Sequence, residues 1–98
     1  MPVLTTKEIL LRLKTVPNWS KRAKKIHRTF EFVGFLESIA FVNRIAKRAQ
    51  KLNHHPDIDI RFNKVKLQFT THDAGGLTEK DFVLARQSDE DFSKLAGS

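Results

Sequence analysis

The sequence predicts an α+β fold of order αββαββα, in which a four-stranded antiparallel sheet is covered by helices on one face. Three observations carry this expectation. Two pairs of short segments alternate apolar and polar residues with the period of a strand, a long segment between them repeats its apolar residues at helical spacing, and helix-capping signatures stand near both ends. Two hairpins with few crossovers favour an antiparallel sheet whose second face is polar or buried in an oligomer.

Thr5-x-x-Glu8 is a capping box that opens a first helix, with Ile9, Leu10 and Leu13 on one face and Pro17 as the stop. Trp19 belongs to the first strand or its turn. Ile26, Phe30 and Phe32 share one parity while His27, Thr29 and Glu31 take the other, which is a strand with one buried face. His27 then faces solvent or a neighbouring subunit and is assigned no chemistry. From Phe35 the period changes: Phe35, Ile39, Val42, Ala46 and Ala49 recur at three- and four-residue spacing, and this central helix must end before Pro56, whose ring disfavours helix at His55. Ile58, Ile60 and Phe62, then Val65, Leu67 and Phe69, form a second hairpin joined by a tight Asn63-Lys64 link. Gly75-Gly76 interrupt the chain before Thr78, which can cap a last helix with Asp81 at its third position and Leu77 stapled onto Phe82.

Ninety-eight residues, 40% hydrophobic with eight Phe, suit a single domain over residues 1–98 with one modest core that self-association would help. Without Cys there is no disulfide framework, no Cys-ligated zinc and no thiol nucleophile, which fits a reducing, cytoplasmic setting. Lys7, Glu8 and Arg12 interrupt the apolar residues near the N-terminus, and no stretch is long enough to span a bilayer, so a soluble chain without membrane partners is expected. The net charge of +7 is uneven: residues 1–52 hold twelve basic and three acidic side chains, residues 53–98 six and eight. Such a field can steer an anion, but no aromatic is interleaved among the basic runs as a base-stacking platform needs, so a nucleic-acid partner is not supported.

The chemistry concentrates in His54-His55-Pro56 and in His72 within Thr70-Thr71-His72-Asp73. Imidazoles are the side chains that give and take protons near neutral pH. Parity along the last strand puts His72 opposite Val65, Leu67 and Phe69, outside the core, and His54 and His55 lie in the connection between helix and strand, so both segments can reach one cleft. Each feature also has a plain structural reading: a His pair is a polar helix end, and Asp81 is a first-turn carboxylate stabilised by unpaired N–H groups. A metal site using these His with Asp57, Asp59 or Asp73 is disfavoured because no His-x-His or His-x-x-x-His spacing puts two imidazoles on one face. No Ser sits in an elbow-like context, and Gly75-Gly76 lack the surroundings of a phosphate loop. General acid–base work by imidazoles remains.

The run Ala49-Gln50-Lys51-Leu52-Asn53-His54-His55-Pro56, an aromatic at Phe62, Thr71-His72, Gly76-Leu77-Thr78 and Asp81, with Trp19 and Phe30-x-Phe32 upstream, resembles the pterin-4a-carbinolamine dehydratases, also called dimerisation cofactors of a homeodomain transcription factor. The resemblance spans most of the chain and implies the same αββαββα fold. It implies a hydro-lyase without cofactor or metal that eliminates water from a 4a-hydroxytetrahydropterin to give quinonoid dihydropterin, recycling the pterin of aromatic amino-acid hydroxylases. It implies His54 and His72 as acid–base groups, His55 as a pterin-orienting residue, Asn53, Thr70, Thr71 and Asp73 as the pocket border, and Asp81 as a site residue. It also implies a dimer or tetramer. The family often has a charged residue where Gln50 stands, so any influence of that position on His54 is expected to reduce to hydrogen bonding. A transcription-factor partner rests on no motif of this chain. The alternative from another class is a protein- or nucleic-acid-binding module without catalysis on the same fold.

Overall fold

The computed structural model describes residues 2–97. Its elements are α1 (Thr6–Leu13), β1 (Ser20–Arg22), β2 (Lys25–Glu31), α2 (Phe35–Leu52), β3 (Asp57–Arg61), β4 (Lys64–Phe69), a 3₁₀ turn at His72–Ala74, α3 (Glu79–Phe92) and a π turn at Ser93–Gly97. The order is the expected αββαββα. The sheet runs β1-β2-β4-β3, antiparallel throughout, so that β2 and β4 form its centre and β1 and β3 its edges. No helix among the described residues is long and apolar enough to cross a membrane.

Register decides which side chains meet. Ile26 pairs with Phe69 and Phe30 with Val65, and these residues, with Leu67, are buried beneath the helices. The intervening positions, among them Thr29, Lys66 and Gln68, make the other face polar. Phe30, Phe32, Phe41 and Phe92 pack as one aromatic group, with ring centroids 4.7–6.4 Å apart. Arg28 shares the core parity yet is not misplaced: its guanidinium lies 4.3 Å from the Phe30 ring centre and donates to Asp89 Oδ1 at 2.6 Å. The same oxygen accepts the Trp19 indole N–H at 2.9 Å, which satisfies the polar end of a buried Trp.

Four expectations are corrected. The Thr5–Glu8 capping box forms as read, but only Ile9 of α1 is buried, Leu13 packs at the core margin, and Leu10 is exposed, because an eight-residue helix offers the core a narrow stripe. On α2 the buried residues are Ser38, Phe41, Ile45 and Ala49, with Val42 and Leu52 half-buried; Phe35 and Ala46 face out. Ser38 can be buried because its hydroxyl donates to the Gly34 carbonyl at 3.0 Å. The second hairpin turns at Phe62-Asn63, with Arg61 paired to Lys64 and Phe62 in the left-handed region at φ 54. Finally, β4 ends at Phe69, so strand parity does not extend to His72, which lies in the 3₁₀ turn; it is exposed all the same.

Candidate active site

Three segments converge: the end of α2, the end of β4 and the start of α3. Asn53 closes α2 in the left-handed conformation (φ 50, ψ 46), one that Asn tolerates better than most residues. The His54 N–H then donates to the Ala49 carbonyl at 2.9 Å, a Schellman-type closure that directs the chain back toward the sheet. As a result the His54 ring is 8% exposed and lies parallel, within 11°, to the ring of Phe69.

His54 Nε2 stands 2.6 Å from Asp81 Oδ1, and Asp81 has no exposure at all. The other carboxylate oxygen, Oδ2, accepts the Thr78 backbone N–H and the Thr71 hydroxyl, both at 2.9 Å. Asp81 therefore caps α3 and holds His54 at once. Among the described residues His54 Nδ1 has no hydrogen-bond partner, yet none of their buried side-chain polar atoms lacks one, so Nδ1 reaches the surface. A ring with one nitrogen fixed on a carboxylate and the other open has the form of a positioned proton-transfer group.

His55, adjacent in sequence, is exposed, and its Nε2 lies 3.0 Å from Gln50 Oε1. The expected influence of Gln50 on His54 is thus corrected: Gln50 reaches His55, while the partner of His54 is Asp81. His72 is joined to this centre through its neighbour Thr71, whose hydroxyl donates to Asp81 and whose backbone pairs with Gly76 in both directions at 3.1 and 3.3 Å. Those bonds pin the base of the loop. Gly75 makes its reversal at φ 78, and His72 stands out of the turn with no side-chain partner among the described residues. Asp73 is exposed in the same turn and Asn53 on the helix end, while the Thr70 hydroxyl donates to the Lys24 carbonyl at 2.6 Å. Among the described residues no three His, Asp or Glu stand close enough to hold a metal ion. Thr78, read from the sequence as a cap and as part of the Gly76-Leu77-Thr78 run but given no site role, is part of this centre, since its hydroxyl lies 2.8 Å from that of Thr71.

Residues 2–90 match the sequence model of the family described as Pterin 4 alpha carbinolamine dehydratase. The chain belongs to that family. Members provisionally named pterin-4-alpha-carbinolamine dehydratase include a protein of Acidobacterium capsulatum, 53% identical over 87% of this chain and 92% of its own, and one of Chloroflexus aurantiacus, 53% identical over 92% and 97%. The crystal structure of a transcriptional coactivator/pterin dehydratase from Brucella melitensis superposes with a TM-score of 0.88 at 32% identity, covering 91% of this chain and 97% of that one. A pterin dehydratase-like protein identified as a RuBisCO assembly factor in the alpha-carboxysome, 20% identical with a TM-score of 0.66, shares the fold. The three helices and four-stranded antiparallel sheet are thus those of a pterin-4a-carbinolamine dehydratase.

Proposed function

We propose that this dehydratase-family chain is a 4a-hydroxytetrahydropterin dehydratase, eliminating water to give quinonoid dihydropterin in the recycling of the pterin used by aromatic amino-acid hydroxylases. The observation that carries the reading is His54, held by buried Asp81 with its second nitrogen open, in the same linked unit as exposed His72. Elimination needs one proton delivered to the departing 4a-hydroxyl, which leaves as water, and one removed from a ring nitrogen. His54 and His72 are the pair we assign to these transfers, each worth about 10²–10⁴-fold when positioned. His55, oriented by Gln50, would bind and align the pterin, with Asn53, Thr70, Thr71 and Asp73 around it. No step requires a metal or cofactor. Self-association into a dimer or tetramer accompanies this reading, supported by the exposed apolar residues Val33, Leu36 and Phe62.

The test is turnover of freshly generated 4a-hydroxypterin, measured as acceleration above its spontaneous dehydration, in the presence and absence of a chelator. Acceleration that persists with the chelator is expected. Absence of any acceleration by folded protein would replace this reading with the binding-module alternative.

A further inference from the structure

Asp81 is approached by more donors than a helix cap requires, and the donors have a definite order. Thr71 has one hydroxyl proton. Its oxygen stands 2.9 Å from Asp81 Oδ2 and 2.8 Å from Thr78 Oγ1, so if its proton goes to the carboxylate, the Thr78 hydroxyl must donate to Thr71. The Thr78 backbone N–H gives Oδ2 a second bond at 2.9 Å. The carboxylate also sits in the first turn of α3, where the unpaired N–H groups favour negative charge. An acceptor-only carboxylate so arranged leaves Oδ1 to receive a proton from His54 Nε2, 2.6 Å away.

We propose that Thr71 and Thr78 are positioning residues whose hydroxyls form a one-way hydrogen-bond chain, Thr78 to Thr71 to Asp81, that holds neutral His54 in its Nε2–H tautomer and so makes the open Nδ1 the atom that exchanges a proton with the pterin. This rests on the dehydratase reading for its substrate and deepens it. It also moves Thr71 from the pocket border to the support of His54, because its hydroxyl is engaged on both sides. The geometry makes Thr78 essential to the order of the chain although it is fully buried and three hydrogen bonds from the imidazole. Removing its hydroxyl leaves the Thr71 oxygen without its donor, so the Thr71 hydroxyl is less firmly aligned on Asp81 and its bond to the carboxylate, no longer strengthened by the chain, supports the His54 tautomer less.

The decisive measurement is ¹⁵N NMR of the His54 imidazole in resting protein without substrate, alongside steady-state kinetics. In the wild type, Nε2 should have the protonated and Nδ1 the unprotonated shift of a neutral ring. Thr78→Val and Thr71→Val should each raise the Nδ1–H population and lower kcat by about 3- to 10-fold, the range one hydrogen bond can supply, with KM changed less than about 2-fold. Thr78→Ser should restore both readouts. A wild-type ring protonated on Nδ1, or valine variants with unchanged tautomer and kcat, would overturn the proposal, and a raised KM with unchanged kcat in Thr71→Val would return that residue to substrate contact. If the valine variants fail to fold, the wild-type tautomer and the Thr78→Ser variant still decide it. Failure of the dehydratase reading would be distinct: the wild type would show no turnover, whatever its tautomer.

Discussion

At the residue scale, the two histidines and their supports should separate kinetically, because proton transfer acts on kcat and orientation on binding. His54→Ala and His72→Ala are each expected to lower kcat by roughly 10-fold or more, with the double variant losing most remaining acceleration. His55→Ala should act mainly on KM, and Gln50→Ala in the same direction but less, since it removes only one exposed hydrogen bond. Near wild-type kcat in both His54→Ala and His72→Ala, with the fold intact, would remove the catalytic assignment. Asp81→Asn should cost activity while weakening the start of α3 only modestly, as Asn keeps an acceptor for the Thr78 N–H but loses the charge facing His54. Residue types alone pointed to His54, His55 and His72, since few side chains move protons at neutral pH. Who touches whom was not legible: Gln50 serving His55 depends on how far past α2 the chain has turned, and Thr78 bonding Thr71 depends on β4 and α3 meeting across seven residues.

At the element scale, the elements with short-range signals were readable, the Thr5 and Thr78 caps and the alternating runs of β2 and β4 above all. The buried face of α2 was not, because that helix also has apolar Phe35, Leu36 and Ile39 outside the buried stripe, and helical period alone cannot say which stripe meets the sheet. Polar anchors between helices were also invisible. Arg48 binds Asp91 bidentately at 2.6 and 2.9 Å, and Asp91 is almost fully buried, so this pair ties α2 to α3 across the core edge. Arg48→Ala removes both of these bonds from a carboxylate that has Arg44 3.6 Å away, and should destabilise the fold by about 2–4 kcal/mol in denaturant titration, somewhat below the loss expected for a wholly buried pair. Arg12 binds Glu79 at 2.7 Å and joins α1 to α3 in a weaker way. The Arg12 hydrogen bond holds the Glu79 carboxyl below its ordinary 4.5, so the folded state keeps it charged to lower pH than the unfolded chain. Its stabilisation is therefore present above about pH 4.5 and lost as pH falls through the lowered value. Glu79 is 40% exposed, so Glu79→Gln should cost less than about 1 kcal/mol at neutral pH, less again in high salt, and nothing in strong acid.

At the scale of the whole molecule, the site and the three most exposed large apolar residues lie at opposite ends of α2, which at 18 residues spans about 27 Å. Val33 (90% exposed), Leu36 (78%) and Phe62 (68%) are held together there, because the Phe32 N–H donates to the Asn63 carbonyl at 2.8 Å and the Asn63 side chain returns a bond to Phe32 at 3.1 Å. The edge strand β3 continues the patch: Ile58 and Ile60 point to the helix-covered side by register, opposite Leu67 and Val65, yet each remains more than a third exposed. An unpaired strand edge beside a contiguous apolar patch is a surface that soluble proteins usually cover. A second copy of the chain would cover it symmetrically, so the wild type should form a dimer or tetramer at micromolar concentration in light scattering. Leu36→Asp combined with Phe62→Asp should shift the scattering mass to that of the monomer. Both side chains are exposed in the single chain and contribute little to its core, so the variant should keep its helical circular dichroism. It should also keep its dehydratase turnover, because His54, Asp81, Thr71 and His72 all come from one chain at the far end of α2. A wild type that scatters as a strict monomer would defeat the assembly prediction. A monomeric variant that lost turnover while folded would instead show that a neighbouring copy completes the site, and Asn53 and His55, exposed at the end of α2, would then be the first residues to test for contact with it.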